Sequence, residues 1–333
     1  MRNSKLYSRS RIGNVQKIFQ HGDRPWQGLI ILISALVIIL MIAIGGLLWA
    51  DSAGARHSFG FSFLVPTANP NWDPVNDNFQ AWPFLYGTLL TSLFAILFAL
   101  PIGVGIAIFL AELCPAWLRM PLTWMVELLA AIPSVVYGLW GIFVFLPKVV
   151  APFGVFLGDT LGRVPLLGSL FAGPIPASGA SRLAASLVLT IMITPTIAAV
   201  TRDVFLAIPV AQREAAKALG STEWETIWQV LIPFGKSGIL GAVILGLGRA
   251  LGETMAVTMV IGNSIQGGIS LLDAGYSMAS IIANEFAESV SQLHTNALIE
   301  IGLVLFIITL LLNVVARFLV WQVARQTPQE VRS

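Results

Sequence analysis

The chain has 333 residues, of which 56% are hydrophobic and 11% charged, and its formal net charge is +2. Soluble domains carry roughly 25% charged residues, and a globular fold of this length could not hide so much apolar side chain from water. Lipid is therefore the expected solvent, and the nearly neutral charge gives no indication of a nucleic-acid partner.

The sequence offers little support for metal or redox chemistry. The single cysteine, Cys114, excludes an internal disulfide, a thiolate cluster and a CxxC pair. The three histidines, His21, His57 and His294, lie far apart, and none belongs to an HExxH-type ligand pattern. We expect these four residues to serve packing or loops, and we expect the chain itself to bind no cofactor.

Six apolar stretches are long enough to cross a bilayer, for which about 20 residues suffice. All are too long for strands and too apolar for amphipathic surface helices. The sequence therefore predicts an all-α integral membrane protein with six transmembrane helices. The stretches are Trp26 to Ala50, Phe84 to Ala111, Pro121 to Pro147, Leu183 to Val200, Gly238 to Gly262 and Ala297 to Val320.

The first span could instead be a cleavable signal peptide, because Ala53-Gly54-Ala55 resembles a small-residue cleavage site. Its apolar run greatly exceeds the ~7–15 residues of a signal h-region, and a long basic segment precedes it. We therefore expect an uncleaved anchor, with a cytoplasmic tail at residues 1–27 and the first transmembrane helix at 28–50.

The distribution of lysine and arginine predicts the orientation of the spans. With the N-terminus inside, 14 of the 19 basic residues fall on inner segments, 4 on outer loops and 1, Arg249, within a span. Both termini are therefore predicted to be cytoplasmic, including a C-terminal tail at 321–333. Residues 51–83 and 148–182 become external loops, and residues 84–320 form a core of five helices.

The polar stretch 202–236, between the fourth and fifth spans, is the predicted cytoplasmic loop. Helix formers run from Val210 to Leu219, and Gly220 can supply the positive φ that ends a helix. Ala215 and Ala216 leave a shallow surface on which another protein could seat closely.

A second helix is expected immediately after this turn. Ser221 or Thr222 can cap it, and Glu225, three residues after Thr222, completes a capping box. Pro233 is expected to stop this second helix before the fifth span.

This loop resembles the EAA loop of ATP-binding-cassette (ABC) importer permeases, a coupling helix that docks into a cleft on a nucleotide-binding subunit. The pattern is Glu-Ala-Ala, a glycine four residues later, and a hydrophobic-x-hydrophobic-Pro ending. Two positions in that ending depart mildly, since isoleucine and leucine are common there. An ordinary helix-turn-helix is the alternative. The matching residues are Glu214-Ala215-Ala216, Gly220 and Val230-Leu231-Ile232-Pro233.

The chain lacks a nucleotide site of its own. Gly235-Lys236-Ser237 imitates the end of a Walker A loop, but Val230 occupies the place of its first glycine. Pro233 and a membrane helix flank it, instead of a strand and a soluble helix. The energy is therefore expected from a partner subunit that binds ATP and magnesium.

Two opposite charges lie within the fifth predicted span. Arg249 and Glu253 are four residues apart, so we expect them to lie on one helical face. Such residues generally face a cavity or a partner. The fixed fork of donors on arginine suits a tetrahedral oxyanion, and Glu253 can accept a hydrogen bond that hydrogen phosphate donates and sulfate cannot. A structural ion pair is the alternative, and Gly248 and Gly252 would let another helix approach closely.

Three prolines mark bends that could line a cavity. Pro101, Pro133 and Pro195 should each kink a span and free a backbone carbonyl, although kinked packing without function is as good an interpretation. Glu127 lies just before Pro133. Glu300, near the outer end of the sixth span, is expected to snorkel, and we assign it to no site.

Several segments together resemble the PstC family, one of two permease families of bacterial high-affinity phosphate importers. The sister family PstA shares Gly-Arg-Ala-x-Gly-Glu but usually departs after Glu-Thr, so Met255 to Asn263 favours PstC. The resemblance covers about Gly87 to Arg317, the type I (MetI-like) importer permease region. The matching segments are Gly87 to Ser92, Glu127 to Gly141, Ile191 to Pro195 and Gly248 to Asn263.

The resemblance implies a permease in the bacterial cytoplasmic (inner) membrane. It implies as partners a PstA-like second permease, a PstB-like ATPase dimer inside and a PstS-like phosphate-binding protein outside. It also implies that Arg249 and Glu253 are the charged residues tied to phosphate passage. A permease of the same fold for sulfate, molybdate or phosphonate is the near alternative. A membrane enzyme would need a catalytic constellation that the sequence does not show.

Overall fold

The computed structural model describes residues 7–66, 71–165, 168–265 and 268–325, with side chains from residue 26 to residue 322 within these ranges. The chain divides into two units. The first contains α1 (Tyr7–Asp51), whose apolar part begins at Trp26. Much of the predicted C-terminal tail lies outside the described residues.

The second unit opens with small elements in the predicted external loop. These are α2 (Ala53–Phe59), a 3-10 turn (Gly60–Leu64) and the antiparallel strands β1 (Trp72–Asp73) and β2 (Asn78–Phe79). The Asn76 side chain and the Val75 backbone donate hydrogen bonds to Asp73 in the turn, which lowers the pKa of that carboxyl.

The strand pair is held against two later helices by a buried polar contact. The Trp72 indole donates to Glu285 Oε2 at 2.7 Å, and Nε2 of His294 lies 3.0 Å from the same oxygen. The His294 ring also stacks on Phe79, with centroids 5.1 Å apart. His294 therefore packs, as expected; His21 lies outside the residues with described side chains.

The remaining helices of the second unit include three π-helical segments, in which the hydrogen-bond register widens by one residue. In chain order the elements are α3 (Trp82–Ile108) with a π segment (Phe109–Leu113), α4 (Ala116–Ala131), α5 (Ser134–Trp140) with a π segment (Gly141–Val150), α6 (Ala151–Thr160), a 3-10 turn (Leu161–Arg163), α7 (Gly168–Phe171), α8 (Arg182–Leu206), α9 (Val210–Ala218), α10 (Glu223–Thr226) with a π segment (Ile227–Leu231), α11 (Ile232–Gly252), α12 (Met255–Val260), α13 (Met278–Glu285), a 3-10 turn (Phe286–Glu288) and α14 (Gln292–Arg325).

Six helices in the described part of the chain are long and apolar enough to span a membrane, which confirms the predicted number and the all-α class. Pro101 and Pro195 lie inside the continuous helices α3 and α8. The six spans are Trp26–Asp51, Trp82–Leu113, Ser134–Arg163, Arg182–Leu206, Glu223–Gly252 and Gln292–Gln322.

The third span begins later than predicted. The stretch predicted as one helix breaks at Ile132, whose ψ is 130°, because proline at 133 disfavours a helical conformation in the residue before it. The apolar span then runs Ser134–Arg163, so the first part of the predicted external loop 148–182 is helical.

The prediction that Pro233 stops a helix is wrong. The helical path continues from Glu223 to Gly252, and Pro233 lies in the first turn of α11, directly after a π segment. Its missing N–H therefore falls where the chain changes from π to α hydrogen bonding, and the helix tolerates it. Gly235-Lys236-Ser237 lies in this helix, not in a phosphate-binding loop.

The core of the second unit surrounds α8, the most buried of the six spans. α8 packs chiefly against α3 and α11. Three of its buried hydroxyl groups donate to carbonyls one turn earlier: Ser186 to Arg182 at 2.8 Å, Thr190 to Ser186 at 2.7 Å and Thr194 to Thr190 at 2.6 Å. Since lipid offers these groups no partner, this internal bonding lets a helix with polar residues cross the membrane.

Gly87→Ala is expected to destabilise the fold. A Cβ at Gly87, on α3, would overlap the backbone carbonyl oxygen of Tyr276, and overpacking of this kind costs about 1–3 kcal/mol. Gly105→Ala in the same helix is the control, since no atom lies within 4 Å of a Cβ there. Thermal unfolding of the detergent-purified chain should give a lower midpoint for Gly87→Ala only, and equal midpoints would contradict this close approach.

Candidate functional site

The helical path is interrupted just before the third span and just after the fifth, and the segments beyond the two interruptions pack together. α4 gives way to α5 at Ile132 and Pro133, and α11 gives way to α12 at Glu253 and Thr254. α5 packs on α12 closely enough that a Cβ at Gly138 would lie 3.3 Å from the α-carbon of Ala256. The site described below lies at these paired interruptions.

The break after α4 leaves its last carbonyl groups short of helical donors, among them those of Leu129 and Ala130. The Tyr137 hydroxyl donates to the Leu129 carbonyl at 2.8 Å. Both terminal nitrogens of Arg249 reach the Ala130 carbonyl at 3.4 Å. Side chains from the next turn of the chain and from another span thus replace the missing backbone partners.

Arg249 is half-buried and contacts only neutral oxygens. Besides the Ala130 carbonyl, its guanidinium reaches the Thr196 hydroxyl at 3.5 Å. All three contacts are long for hydrogen bonds from a charged donor. In the described part of the chain, no carboxylate oxygen lies within the 4.0 Å of an ion pair with Arg249. Arg249 therefore has no ion-pair partner among the described residues.

The expectation that Arg249 and Glu253 share one helical face is wrong, because Glu253 lies beyond the end of α11, with φ −71° and ψ 123°. The two side chains do not form an ion pair. Its Oε1 accepts a hydrogen bond from the Ala256 backbone N–H at 3.2 Å, at the start of α12. The structure thus brings both predicted residues to the same interruption but gives them separate partners.

Two other arginines near the predicted cytoplasmic side are neutralised. Arg202 lies 3.3 Å from Glu127 and 2.8 Å from Asp203. Arg213 lies 3.0 Å from Glu112. Glu127 thus serves a partly exposed ion pair between α4 and α8. Arg249 differs from both arginines, because no carboxylate of the described residues lies within 4.0 Å of it.

The face of α11 that carries Gly248 and Gly252 is open. No atom of the described chain lies within 4 Å of a Cβ built at either glycine. A helix of another protein could therefore approach this face closely, as the small-residue spacing predicts.

The predicted cytoplasmic loop has the expected local structure in its first part. α9 spans Val210–Ala218, Gly220 has φ 89°, and Thr222 and Glu225 form a reciprocal capping box. Of the five residues predicted for coupling, Glu214, Ala215, Ala216 and Gly220 lie on or beside α9, with Ala216 half-buried and the others exposed. Pro233 lies apart from them, in the first turn of α11.

Sequence reasoning missed two buried charges. Arg182, counted with an external loop, is only 1% exposed and donates to the carbonyls of Gly268 at 2.6 Å and Ser270 at 2.9 Å. Glu300 is 5% exposed, so the expectation that it snorkels is wrong. Neither lies in a short local motif, and their burial depends on loops and helices distant in sequence. The described residues contain no group of three or more His, Cys, Asp and Glu placed to hold a metal ion.

A family model for the binding-protein-dependent transport system inner membrane component matches residues 103–327. The phosphate transport system permease protein PstC of Xylella fastidiosa is 42% identical over 299 residues, 89% of this chain and 90% of its own length. PstC of Haemophilus influenzae is 46% identical over 289 residues, 87% of this chain and 90% of its own length.

Solved structures share the fold at low sequence identity. A chain of a bacterial alginate ABC transporter, in complex with an alginate pentasaccharide-bound periplasmic protein, gives a TM-score of 0.58 at 15% identity, covering 90% of this chain and 96% of that one. A chain of the MetNI methionine ABC transporter gives 0.51 at 19% identity, covering 72% and 93%.

The chain belongs to the inner-membrane components of binding-protein-dependent transport systems and, within them, to the PstC family. It is a multi-pass inner-membrane protein. Its relatives are transport permease subunits, which agrees with a role in transport and not in catalysis.

Tyr137→Phe is expected to destabilise the interruption between α4 and α5. The Leu129 carbonyl would lose its 2.8 Å partner and keep only a 3.4 Å contact with the Ile132 N–H, a loss of about 1 kcal/mol. Tyr276→Phe is the control, because the Tyr276 hydroxyl accepts only one long bond, 3.4 Å from Asn284. The midpoint temperature of thermal unfolding should fall further for Tyr137→Phe than for Tyr276→Phe. An equal or smaller fall for Tyr137→Phe would contradict this role.

Proposed function

We propose that this chain is the transmembrane permease subunit of an ATP-driven ABC importer that translocates inorganic phosphate delivered by an external binding protein. The relatives named for phosphate transport support this proposal, as does the family description. The observation that carries it is that Arg249, at the paired interruptions, has no ion-pair partner among the described residues.

Arg249 is suited to receive an oxyanion. Its guanidinium holds five N–H donors, and its three contacts are long and involve neutral oxygens. A phosphate oxygen offers a full charge and a shorter, bidentate bond. Phosphate can therefore replace the Ala130 carbonyl and the Thr196 hydroxyl as the partner of Arg249. When phosphate leaves, both groups bind the arginine again.

Glu253 supplies a basis for preferring phosphate over other oxyanions. Its Oε1 is bonded to the Ala256 N–H, which leaves Oε2 to accept. An ionised carboxylate can accept a hydrogen bond but cannot donate one. Hydrogen phosphate provides the matching O–H, whereas sulfate presents only acceptors and would be repelled. This argument favours phosphate over sulfate as the substrate of the same fold.

The power source is a separate ATPase, which holds ATP and magnesium; the chain itself carries no cofactor. Glu214, Ala215, Ala216, Gly220 and Pro233 form the coupling segment that docks on it. A PstB-like ATPase dimer closes when it binds ATP, draws the coupling helices together and opens the permease pair towards a PstS-like receptor. Hydrolysis resets the assembly. The second permease is PstA-like and approaches along the open glycine face of α11.

Arg249→Gln and Glu253→Gln test the anion site. Both variants should assemble normally, and uptake of labelled phosphate should fall by about 10- to 100-fold for Arg249→Gln, because a hydrogen bond to a charged group is worth about 1.5–3 kcal/mol. Glu253→Gln should narrow the preference for phosphate over sulfate. Uptake is measured with the full transporter in a strain that lacks its own phosphate importers.

Arg119→Gln is the matched control for the arginine change. Arg119 is exposed at the start of α4, and its guanidinium donates to the Cys114 carbonyl at 3.3 Å. Its uptake should stay near that of the parent. Normal uptake in Arg249→Gln and Glu253→Gln, with normal assembly, would rule out the proposed anion site, and better uptake of sulfate than phosphate by the parent would assign another substrate.

Gly220→Ala tests the docking role of the predicted cytoplasmic loop. The left-handed φ of 89° should strain an alanine by about 1–2 kcal/mol, and no atom lies within 4 Å of the added Cβ. Fewer ATPase subunits should therefore remain on the purified complex. Gly220→Asn is the control, since asparagine tolerates this conformation better. Equal retention in both variants and the parent would contradict the docking role.

A further inference from the structure

Arg213 connects α9 to the ends of two membrane spans. Its Nε donates to Glu112 Oε1 at 3.0 Å, its Nη1 to the Ile208 carbonyl at 2.8 Å and its Nη2 to the Phe205 carbonyl at 2.6 Å. Glu112 belongs to the π segment that ends the second span, and the two carbonyls belong to the end of the fourth span and the turn after it. One side chain therefore joins three separate elements.

The contacts of Arg213 require both its charge and its shape. Arg213 and Glu112 are each 14% exposed, so removing either partner leaves a largely buried charge without compensation. The last carbonyls of a helix have no donor within that helix, and here the guanidinium caps one of them, that of Phe205, and also binds the Ile208 carbonyl in the turn after α8. A lysine would keep the charge but could not hold three acceptors in the same fixed plane.

An apolar cluster lies beside this ion pair and adds the fifth span to the same body. Phe205 packs against α11 so closely that a Cβ at Gly235 would lie 3.0 Å from its ring. The second, fourth and fifth spans therefore meet at this end of the unit. The cluster's buried members are Ala107, Ala111, Phe205, Ile208 and Leu231, with Val230 and Phe234 packed against them.

The other ion pair of α9, between Lys217 and Glu223, is much more exposed than the Arg213–Glu112 pair. Lys217 lies 2.6 Å from Glu223, but the two side chains are 48% and 62% exposed. An exposed pair of this kind contributes little, because water screens it. It joins α9 only to the exposed first residue of the fifth span.

We propose that the Arg213–Glu112 ion pair transmits movement of α9 to the second, fourth and fifth spans. This inference rests on the proposed function, since it assigns the route by which ATPase closure reaches the membrane. Arg213 and Glu112 act as positioning residues: the hydrogen-bond partners described above lie within this chain, away from the Arg249 site. Without the pair, α9 can move while the spans stay behind, so ATP is hydrolysed with less transport.

The ratio of phosphate transported to ATP hydrolysed tests this inference. The complete transporter, with its external binding protein, is reconstituted in proteoliposomes, and both quantities are measured in the same sample. Glu112→Gln keeps the shape of the side chain and removes its charge; Arg213→Lys keeps the charge and removes the fork. Each should retain ATP hydrolysis while the ratio falls at least about fivefold, the lower end of usual coupling between sites.

The controls separate transmission from a general loss of structure. Glu223→Gln breaks the exposed pair in the same loop by the same chemical change, and its ratio should stay within about twofold of the parent. Glu112→Asp, which keeps the charge, should recover part of the lost ratio. An unchanged ratio in both Glu112→Gln and Arg213→Lys would overturn the inference. Loss of both proteins from the membrane would also overturn it, since the pair would then serve folding alone.

A second readout separates this inference from the phosphate assignment. Spin labels at Val210→Cys and Leu113→Cys, both exposed, report the distance from α9 to the end of the second span in a Cys114→Ser chain. The distance distribution should be narrow in the parent complex and broad in Glu112→Gln. A narrow distribution in both would overturn the inference whatever the substrate, whereas a parent that takes up no phosphate contradicts the proposed function alone.

Discussion

A bilayer interior offers no water to a backbone N–H or C=O, so every interruption of a membrane helix must be repaired by the protein itself. The helical path is interrupted just before the third span and just after the fifth, and side chains satisfy backbone groups at both places. Tyr137 and Arg249 bind the carbonyls that α4 leaves open, and Glu253 caps the start of α12. The polar groups of the candidate site lie at these two interruptions.

The same constraint distinguishes the buried arginines of the second unit by their partners. Arg213 is balanced by Glu112, and Arg182 is held at the N-terminus of α8 by two loop carbonyls at 2.6 and 2.9 Å. Both have short contacts and fixed positions. Arg249 shares one carbonyl and one hydroxyl at 3.4 to 3.5 Å. A charge that is held weakly by neutral groups can exchange them for an anion, whereas a charge held by a carboxylate at 3.0 Å is already satisfied.

Sequence reasoning predicted the features that depend on lipid or on a few adjacent residues. Span number follows from apolar length, and the φ of Gly220 and the Thr222–Glu225 capping box follow from local hydrogen bonding. It failed where the hydrogen-bond register or a distant contact decides. The π segment before Pro233 has no simple residue pattern, Glu253 leaves the helix where α12 packs on α5, and Arg213 and Glu112 are 101 residues apart. The roles of Arg249 and Glu253 in phosphate passage stay predictions.

α11 runs from the predicted cytoplasmic loop to the interruption at Glu253. Its first turn packs on Phe205 beside the Arg213–Glu112 pair, and its last turn carries Arg249. Arg249 follows Gly235 by 14 residues of α11, roughly 21 Å at 1.5 Å per residue. A continuous hydrogen-bonded helix resists bending over this distance, so a displacement of its first turn also displaces the guanidinium relative to Ala130 and Thr196, which belong to other helices. The long contacts of Arg249 are the ones that such a displacement breaks most easily, and breaking them frees the donors that an anion requires.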